Sequence, residues 1–362
     1  MKKSLIALAV LAAAGTASAQ SSVTLFGIVD AAVQRINNSG GASVTRLTQG
    51  AYNSSRLGFR GVEDLGGGSS ASFWLEAGLN NDSGQGQNTN LNNQANGSSG
   101  GGGLTFNRRS TVSLAGGWGE LRLGRDYTPQ FWNLTVFDPY GTVGVGANIL
   151  SGAIVTGATS VRASNSVGYF LPANLGGIYG QAQYYMGENA SNAAGGIKND
   201  GNGYGVRLGW ANGPFDVAMA LSKTKYAAGD SNQNNLAGSW NAGFAKIVAQ
   251  YAWDRGVFSG YTAARVKAKG WLLGALVPVG AGEIRFAYDQ YKVELPAAAD
   301  PMAKKIALGY VHNLSKRTAV YVTAARVKNS NGSTLSVFPG VVGNPTANSS
   351  STGYDLGIRH SF

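Results

Sequence analysis

From Ser22 onward the chain alternates. In "SVTLFGIVDAAVQ", Val23, Leu25, Gly27, Val29, Ala31 and Val33 fall on one side of a period-two repeat, and Thr24, Asp30 and Gln34 fall on the other. Such a segment is a strand with one apolar and one polar face. "SRLGFRG" repeats the pattern with more contrast: Arg56, Gly58 and Arg60 share one side, Leu57 and Phe59 the other. Following the alternation predicts strands over 22–34, 54–62, 70–80, 104–115, 119–126, 163–171, 177–187 and 203–211. The second half of the chain adds 214–225, 233–240, 244–254, 264–278, 283–293, 303–314, 318–327 and 353–362, sixteen strands in all.

The connections sort by length. Tight turns rich in Gly, Asn or Pro, among them "EDLGGGS", "GGWG", "NGP" and "VGAG", join the strands at one end. The connections at the other end are long and polar: 35–53, 81–103, 127–162, 188–202, 226–232, 255–263, 294–302 and 328–352. Short turns at one end and long loops at the other are the asymmetry of an outer-membrane barrel, and an even number of antiparallel strands closes without an edge. The predicted fold is therefore all-β, a sixteen-stranded antiparallel transmembrane β-barrel. A soluble sandwich has fewer strands for this length and does not sort its loops by end.

Composition sharpens this picture. Met1, Lys2 and Lys3 precede an apolar run to Gly15 and the small residues Ala17, Ser18 and Ala19, the pattern of a cleaved signal peptide over residues 1–19. Residues 20–362 then form one barrel domain, since no compositional break marks a linker. Cysteine is absent, so no disulfide supports the exported chain. Only 13% of residues are charged and mean hydropathy is −0.08, with the apolar residues dispersed rather than gathered into a spanning helix. Lys2 and Lys3 carry two of the +11 formal charges, which leaves +9 after cleavage. Export directs that basic balance toward an anionic surface or solute and away from nucleic acid. Trp74, Trp118, Trp132, Tyr179, Trp210, Trp253 and Tyr354 fall near strand ends and are expected in interfacial girdles.

"SVTLFGIVDAAV", "SRLGFRGVEDLGGG", "GELRLGRDYTP", "VFDPYG" and the terminal Phe362, in this order, resemble the general porins of Gram-negative outer membranes, especially the β-proteobacterial type. The resemblance runs from Ser22 to Phe362. It implies a passive diffusion channel, a homotrimer, and a third long loop, residues 127–162, folded into the lumen as a constriction. Within that loop Gln130 to Phe137 is the stretch suited to a short helix before Pro139. The resemblance also implies wall arginines facing acidic residues on the loop. Arg56, Arg108 and Arg162 match wall arginines, and Arg125 occupies the fifth-strand motif. Arg60 follows from sharing a face with Arg56. The acidic complement is Asp138, with Asp126 at the base of the loop, and Glu76 and Asp30 are the neighbouring carboxylates of the wall. For one pair two readings stand: outward Val112 and Leu114 point Arg109 inward, whereas the family match selects Arg108.

Arginines stay charged at every relevant pH, and low-dielectric walls concentrate their field, so anion preference is expected. Phe362, closing "GYDLGIRHSF", resembles the terminal signature read by the barrel-assembly machinery. The expected partners are outer-membrane lipid and lipopolysaccharide, two further copies of the chain, that assembly machinery, and small hydrophilic solutes including anions. No nucleic acid is expected among them.

The catalytic inventory is thin. His312 and His360 are the only histidines, one near a tight turn and one on the last strand, and neither belongs to a triad pattern. No Cys/His cluster or carboxylate pair has a metal spacing, and "GQGQ" and "GGGG" lack the strand–Gly–helix context of a nucleotide site. Catalytic residues, metals and cofactors are therefore not expected. The competing readings are a channel specific for one small anionic solute and a structural or adhesive barrel. Tyr184, Tyr288 and Tyr291 are the candidate aromatic steps of a specific channel.

Overall fold

The computed structural model describes residues 22–362 apart from 95–96, 100–101, 151–158, 257–264 and 296–298; the expected signal peptide lies outside the described residues. The first eight barrel strands are β1 (Ser22–Asn38), β2 (Arg56–Gly66), β3 (Ser69–Asn80), β4 (Arg109–Gly116), β5 (Gly119–Tyr127), β6 (Arg162–Phe170), β7 (Ile178–Tyr185) and β8 (Gly203–Asn212). The second eight are β9 (Phe215–Thr224), β10 (Ser231–Asn241), β11 (Lys246–Gly256), β12 (Val266–Val279), β13 (Gly282–Glu294), β14 (Met302–Asn313), β15 (Thr318–Ser330) and β16 (Ser350–Ser361). Each pairs antiparallel with its neighbour in this order. The ring closes where β1 meets β16, from Ile28 opposite Ser361 to Asn38 opposite Ser351.

Several boundaries differ from the sequence reading by a few residues, and two of the differences shape the loops. β1 continues to Asn38, and Ser43–Gln49 folds back on its upper half, with Asn37 opposite Ser43 and Ala31 opposite Gln49. Most of the predicted loop 35–53 is therefore hairpin, because the alternation persists through "SVTRLTQ". β4 starts at Arg109 rather than near residue 104. The preceding residues bond out of register: Asn107 Oδ1 accepts from Gly78 N at 2.8 Å, and Thr105 Oγ1 donates to Gln87 O.

Alternation decides what each face meets. Leu25, Val112, Leu208, Leu308 and Leu356 point outward and are more than half exposed, an apolar surface suited to hydrocarbon and costly in water. Among the described residues no helix is long and apolar enough to cross a membrane. The terminal Phe362 seals the seam: its N–H donates to Gly27 O and its carbonyl accepts from Gly27 N, both at 3.1 Å. Its ring covers Gly27 so closely that a Cβ there would sit 2.3 Å from Cζ.

The inner face divides into two sectors. On β9 to β15 it is lined by small residues, including Ala218, Ala252, Ala268, Ala287, Ala307 and Ala325, all buried. The loop after β5 packs into this sector: Leu134, Tyr140, Val145, Ile149 and Leu150 share one apolar cluster with those strands. The fit is close. A Cβ on Gly353 would meet Val145 Cγ1 at 2.7 Å and Val337 Cγ1 at 2.8 Å, side chains of the loops after β5 and after β15. Replacing Gly353 with Leu is expected to overpack this seat and cost about 1–3 kcal/mol. Urea unfolding of the barrel in lipid vesicles measures it, and an unchanged midpoint contradicts the seating of the loop.

Candidate functional site

The loop that enters the lumen begins with α1 (Pro129–Val136). Pro at the first helical position loses no hydrogen bond, and Pro139 lies just beyond the last turn. The polar side chains of α1 bind inward positions of the wall. Asn133 Nδ2 donates to Ala218 O and Asn235 Oδ1 at 2.9 and 2.8 Å, Asn235 Nδ2 donates to Gln130 O at 3.0 Å, and Gln250 Nε2 donates to Leu134 O at 3.1 Å. Beyond the helix the loop continues across the bore. Tyr140 Oη donates to Arg285 O, Ile149 N to Asp289 Oδ1, and Val145 N to Asp355 Oδ2. Lys305 Nζ also donates to Ala147 O. These partners span β9 to β16, on the inward face of the ring. Residues 151–158 lie outside the described residues.

Opposite this seat stand the arginines. A cavity of about 440 Å³ is lined by Arg56, Arg108, Arg109, Arg122, Arg162 and Arg207. Glu76 and Asp126 line it, and Glu120 beside it accepts from Arg122 Nε and Nη2 at 2.9 and 3.0 Å, so six guanidiniums face three acids. Glu76 is the hub: Arg108 Nε donates to Oε1 at 2.5 Å, Arg56 Nη1 donates to it at 3.4 Å, and Trp74 Nε1 donates to Oε2 at 3.1 Å. Asp126 accepts from Arg122 Nη1 at 2.6 Å and lies 3.7 Å from Arg109 Nε. Arg162 and Arg207 form no ion pair among the described residues. Arg162 instead donates to Arg108 O at 2.8 Å and to Tyr127 Oη at 3.0 Å, and Arg207 donates to Asn133 Oδ1 at 2.8 Å.

Aromatic rings hold the guanidiniums flat. Arg109 lies 4.6 Å from the centroid of Trp74, Arg122 3.9 Å from Phe170, Arg162 4.4 Å from Tyr127 and Arg207 4.7 Å from Tyr179. A stacked guanidinium keeps its charge and turns its N–H edge away from the ring. This answers where three of the expected girdle residues are. Trp74, Trp132 and Tyr179 line the cavity, while Trp118, Trp210 and Tyr354 are on the exposed surface.

The sequence-derived residues separate accordingly. Arg56, Arg108, Arg162 and Glu76 line one cavity. Arg108 and Arg109 both reach the lumen, because Arg108 precedes the strand on a bent backbone while Arg109 takes the inward register opposite Glu76. Arg60 shares the inward face but sits nearer the turn end, over Phe26 and Trp74 at 5.6 and 5.3 Å. Arg125 does not join them. It has the parity of outward Leu121 and Leu123 and donates to Asn107 O, Asn90 O and Ser164 Oγ, tying down the loop after β3.

Asp138 also departs from expectation. Its carboxylate accepts from Tyr140 N, Thr142 N, Asn148 N and Asn148 Nδ2 at 2.7–3.0 Å, so it shapes the loop from within. Burial pushes the Asp138 carboxyl above its usual range, and these four donors oppose that shift. It lines a different cavity, with Tyr52 and Arg285, rather than the one holding Arg56. Of the aromatic candidates, Tyr184 and Tyr288 point outward and Tyr291 is buried inward, so they form no track.

Arg122, Arg207 and Asp126 complete the site. Simple alternation finds both arginines: outward Leu121 and Leu123 flank Arg122, and outward Val206 and Leu208 flank Arg207. One unit charge at about 6 Å is worth about 0.7 kcal/mol even at the dielectric of water, about a threefold rise in local anion and a threefold fall in local cation, or about a tenfold change in their ratio. Arg162→Gln is accordingly expected to lower the chloride-to-potassium permeability ratio by up to about tenfold. Zero-current potentials in a salt gradient check this, and an unchanged ratio contradicts it.

Comparison with known proteins agrees with this architecture. The family described as Gram-negative porin matches residues 5–332. Outer membrane porin protein 32 of Delftia acidovorans is 40% identical over the full length of both chains. Among solved structures, the anion-selective porin from Comamonas acidovorans superposes with a TM-score of 0.80 at 36% identity, covering 95% of this chain and 100% of that one. The trimer form of OmpT from Vibrio cholerae shares the fold at 13% identity, with a TM-score of 0.65 over 94% of this chain and 99% of its own. The chain belongs to the Gram-negative porins, passive diffusion channels of the outer membrane.

Proposed function

We propose that this porin passes small hydrophilic solutes with a preference for anions, and that the arginine-lined cavity beside α1 is its constriction. The observation that carries the reading is the excess of six guanidiniums over three carboxylates, Glu76, Asp126 and the Glu120 that pairs with Arg122, around one space. Arg56, Arg108, Arg109, Arg122, Arg162 and Arg207 supply the field, and Glu76 and Asp126 fix their positions. Arg60 extends the positive face toward the turn end. A fixed array of charges against low-dielectric walls enriches mobile anions and repels cations without a bound state deep enough to stop flow. The anion selectivity of the Comamonas acidovorans relative supports the same direction.

The site serves permeation. Among the described residues no group of His, Cys, Asp or Glu is arranged to hold a metal. His312 and His360 bond to Tyr310 and Thr318, away from the cavity. Assembly follows the same family logic: residues 1–19 direct export, Phe362 addresses the barrel-assembly machinery, and three copies associate. The outward apolar belt contacts outer-membrane lipid and lipopolysaccharide.

Planar-bilayer recordings test the reading through its salt dependence. The screening length falls from about 10 Å at 0.1 M to about 3 Å at 1 M. The chloride preference is expected to be strong in dilute salt and to weaken toward 1 M. Cation preference, or a preference independent of salt, would overturn it. Liposome swelling separates a general pore from a specific one: rates falling smoothly with solute size fit the proposal, and saturation by a single solute contradicts it.

A further inference from the structure

The inserted helix leaves two apolar side chains uncovered. On α1, Gln130, Phe131, Asn133 and Leu134 are buried, whereas Trp132 and Val136, one turn apart on the helix, are exposed. An indole left 38% exposed inside a polar lumen forgoes most of the stabilisation that burying so large a ring supplies. Trp132 also differs from the other rings of the arginine cavity. Trp74, Tyr127, Phe170 and Tyr179 each carry a guanidinium on one face. Among the described residues Trp132 carries none, and its indole N–H has no acceptor. Its ring neighbour is Tyr127, with centroids 5.3 Å apart and planes tilted by 45°, an arrangement that does not stack over the indole face.

The two cavity arginines without a carboxylate partner stand beside this ring. Arg207 Nε donates to the side chain of Asn133, the residue that follows Trp132 in the chain. Arg162 lies 4.4 Å over Tyr127, the same ring that neighbours Trp132. Both arginines direct Nε and Nη2 to protein acceptors, and both retain an Nη1 group with no acceptor among the described residues. Phe170 and Leu171 add apolar surface to the same cavity. An uncovered aromatic face and two under-used guanidiniums thus converge on one space.

We propose that this corner of the constriction is a binding step for planar aromatic carboxylates, the solute ring lying on Trp132 and its carboxylate meeting Arg162 and Arg207. The inference rests on reading the cavity as the anion-conducting constriction, and it names a class of solute for that site. A bare inorganic anion meets the guanidiniums and leaves the indole wet. A neutral ring covers the indole and leaves the guanidinium edges to water. An aromatic carboxylate does both at once, through charge-assisted hydrogen bonds at one end and ring contact at the other. The cavity of about 440 Å³ has room for a single-ring acid. Water keeps access along the bore, so the step slows such acids without trapping them, and uncharged sugars still sieve by size.

Planar-bilayer recording of chloride current through the wild-type porin, with benzoate titrated at neutral pH, tests this. Benzoate is expected to reduce the current saturably in the millimolar range. Cyclohexanecarboxylate has the same charge and ring size but no flat π face, and is expected to need about fivefold more for the same reduction. Acetate is expected to need more still, and benzyl alcohol to have no effect. Trp132→Leu is expected to raise the half-reducing benzoate concentration about fivefold, and Trp132→Phe, which restores a ring, to stay within about twofold of wild type. The comparison of solutes on wild type decides the matter even where a variant fails to assemble. Equal potency of benzoate and cyclohexanecarboxylate, reduction by benzyl alcohol, or unchanged benzoate potency in Trp132→Leu would each overturn the step while leaving anion preference intact. Zero-current potentials recorded before benzoate is added separate the other failure: a wild-type pore that prefers cations overturns the constriction reading, and the step with it.

Discussion

A strand in hydrocarbon has no water to satisfy its N–H and C=O groups, so every ladder must have a partner on both sides. That constraint organises this molecule. It requires the ring to close, here through β1 against β16 and the bonds between Gly27 and Phe362. Closure separates the side chains of each strand into an outer set that meets lipid and an inner set that meets water or the inserted loop. The apolar–polar alternation is the imprint of this division, and the low overall charge is its consequence. The outward half of each strand must be free of charge over the depth of the hydrocarbon, whatever the lumen does.

Within the bore, two demands compete for the same inward positions. A loop can be seated only where the wall is small, and β9 to β15 supply Ala and Gly there. A field can be built only where the wall is charged, and β2 to β8 supply the arginines. The loop joins the two sectors through Asn133, which binds the wall of β9 and β10 on one side and accepts from Arg207 on the other. Stacking on Trp74, Phe170, Tyr127 and Tyr179 offsets the crowding of like charges, since each ring face is negative. The aromatic residues of the lumen are part of the electrostatic device.

Much of this was legible before the structure. Strand count, turn polarity and the inward faces of Arg56 and Arg60 follow from period two alone. The errors came from departing from that rule or from regions where it does not apply. The motif selects Arg125 although Leu121 and Leu123 give it outward parity, whereas inward parity alone selects Arg122 and Arg207. Trp74 and Tyr179 were assigned to the membrane boundary by residue type, but their inward parity puts them among cations. Asp138 lies in a loop, where no periodicity reports direction, and its carboxylate folds back on the backbone of Tyr140, Thr142 and Asn148. The seat of the loop was visible as an alanine-rich inner face on β9 to β15, a signal without meaning until something is known to cover it.

The central claim is that the folded-in loop narrows the lumen onto a wall where arginines outnumber carboxylates. A crystal structure from bromide-containing solution, phased with anomalous data, tests it most directly. The account predicts residues 128–150 inside the barrel and bromide peaks among Arg162, Arg108 and Arg207. A loop outside the lumen, or bromide absent from that cavity while bound elsewhere in the bore, would contradict it.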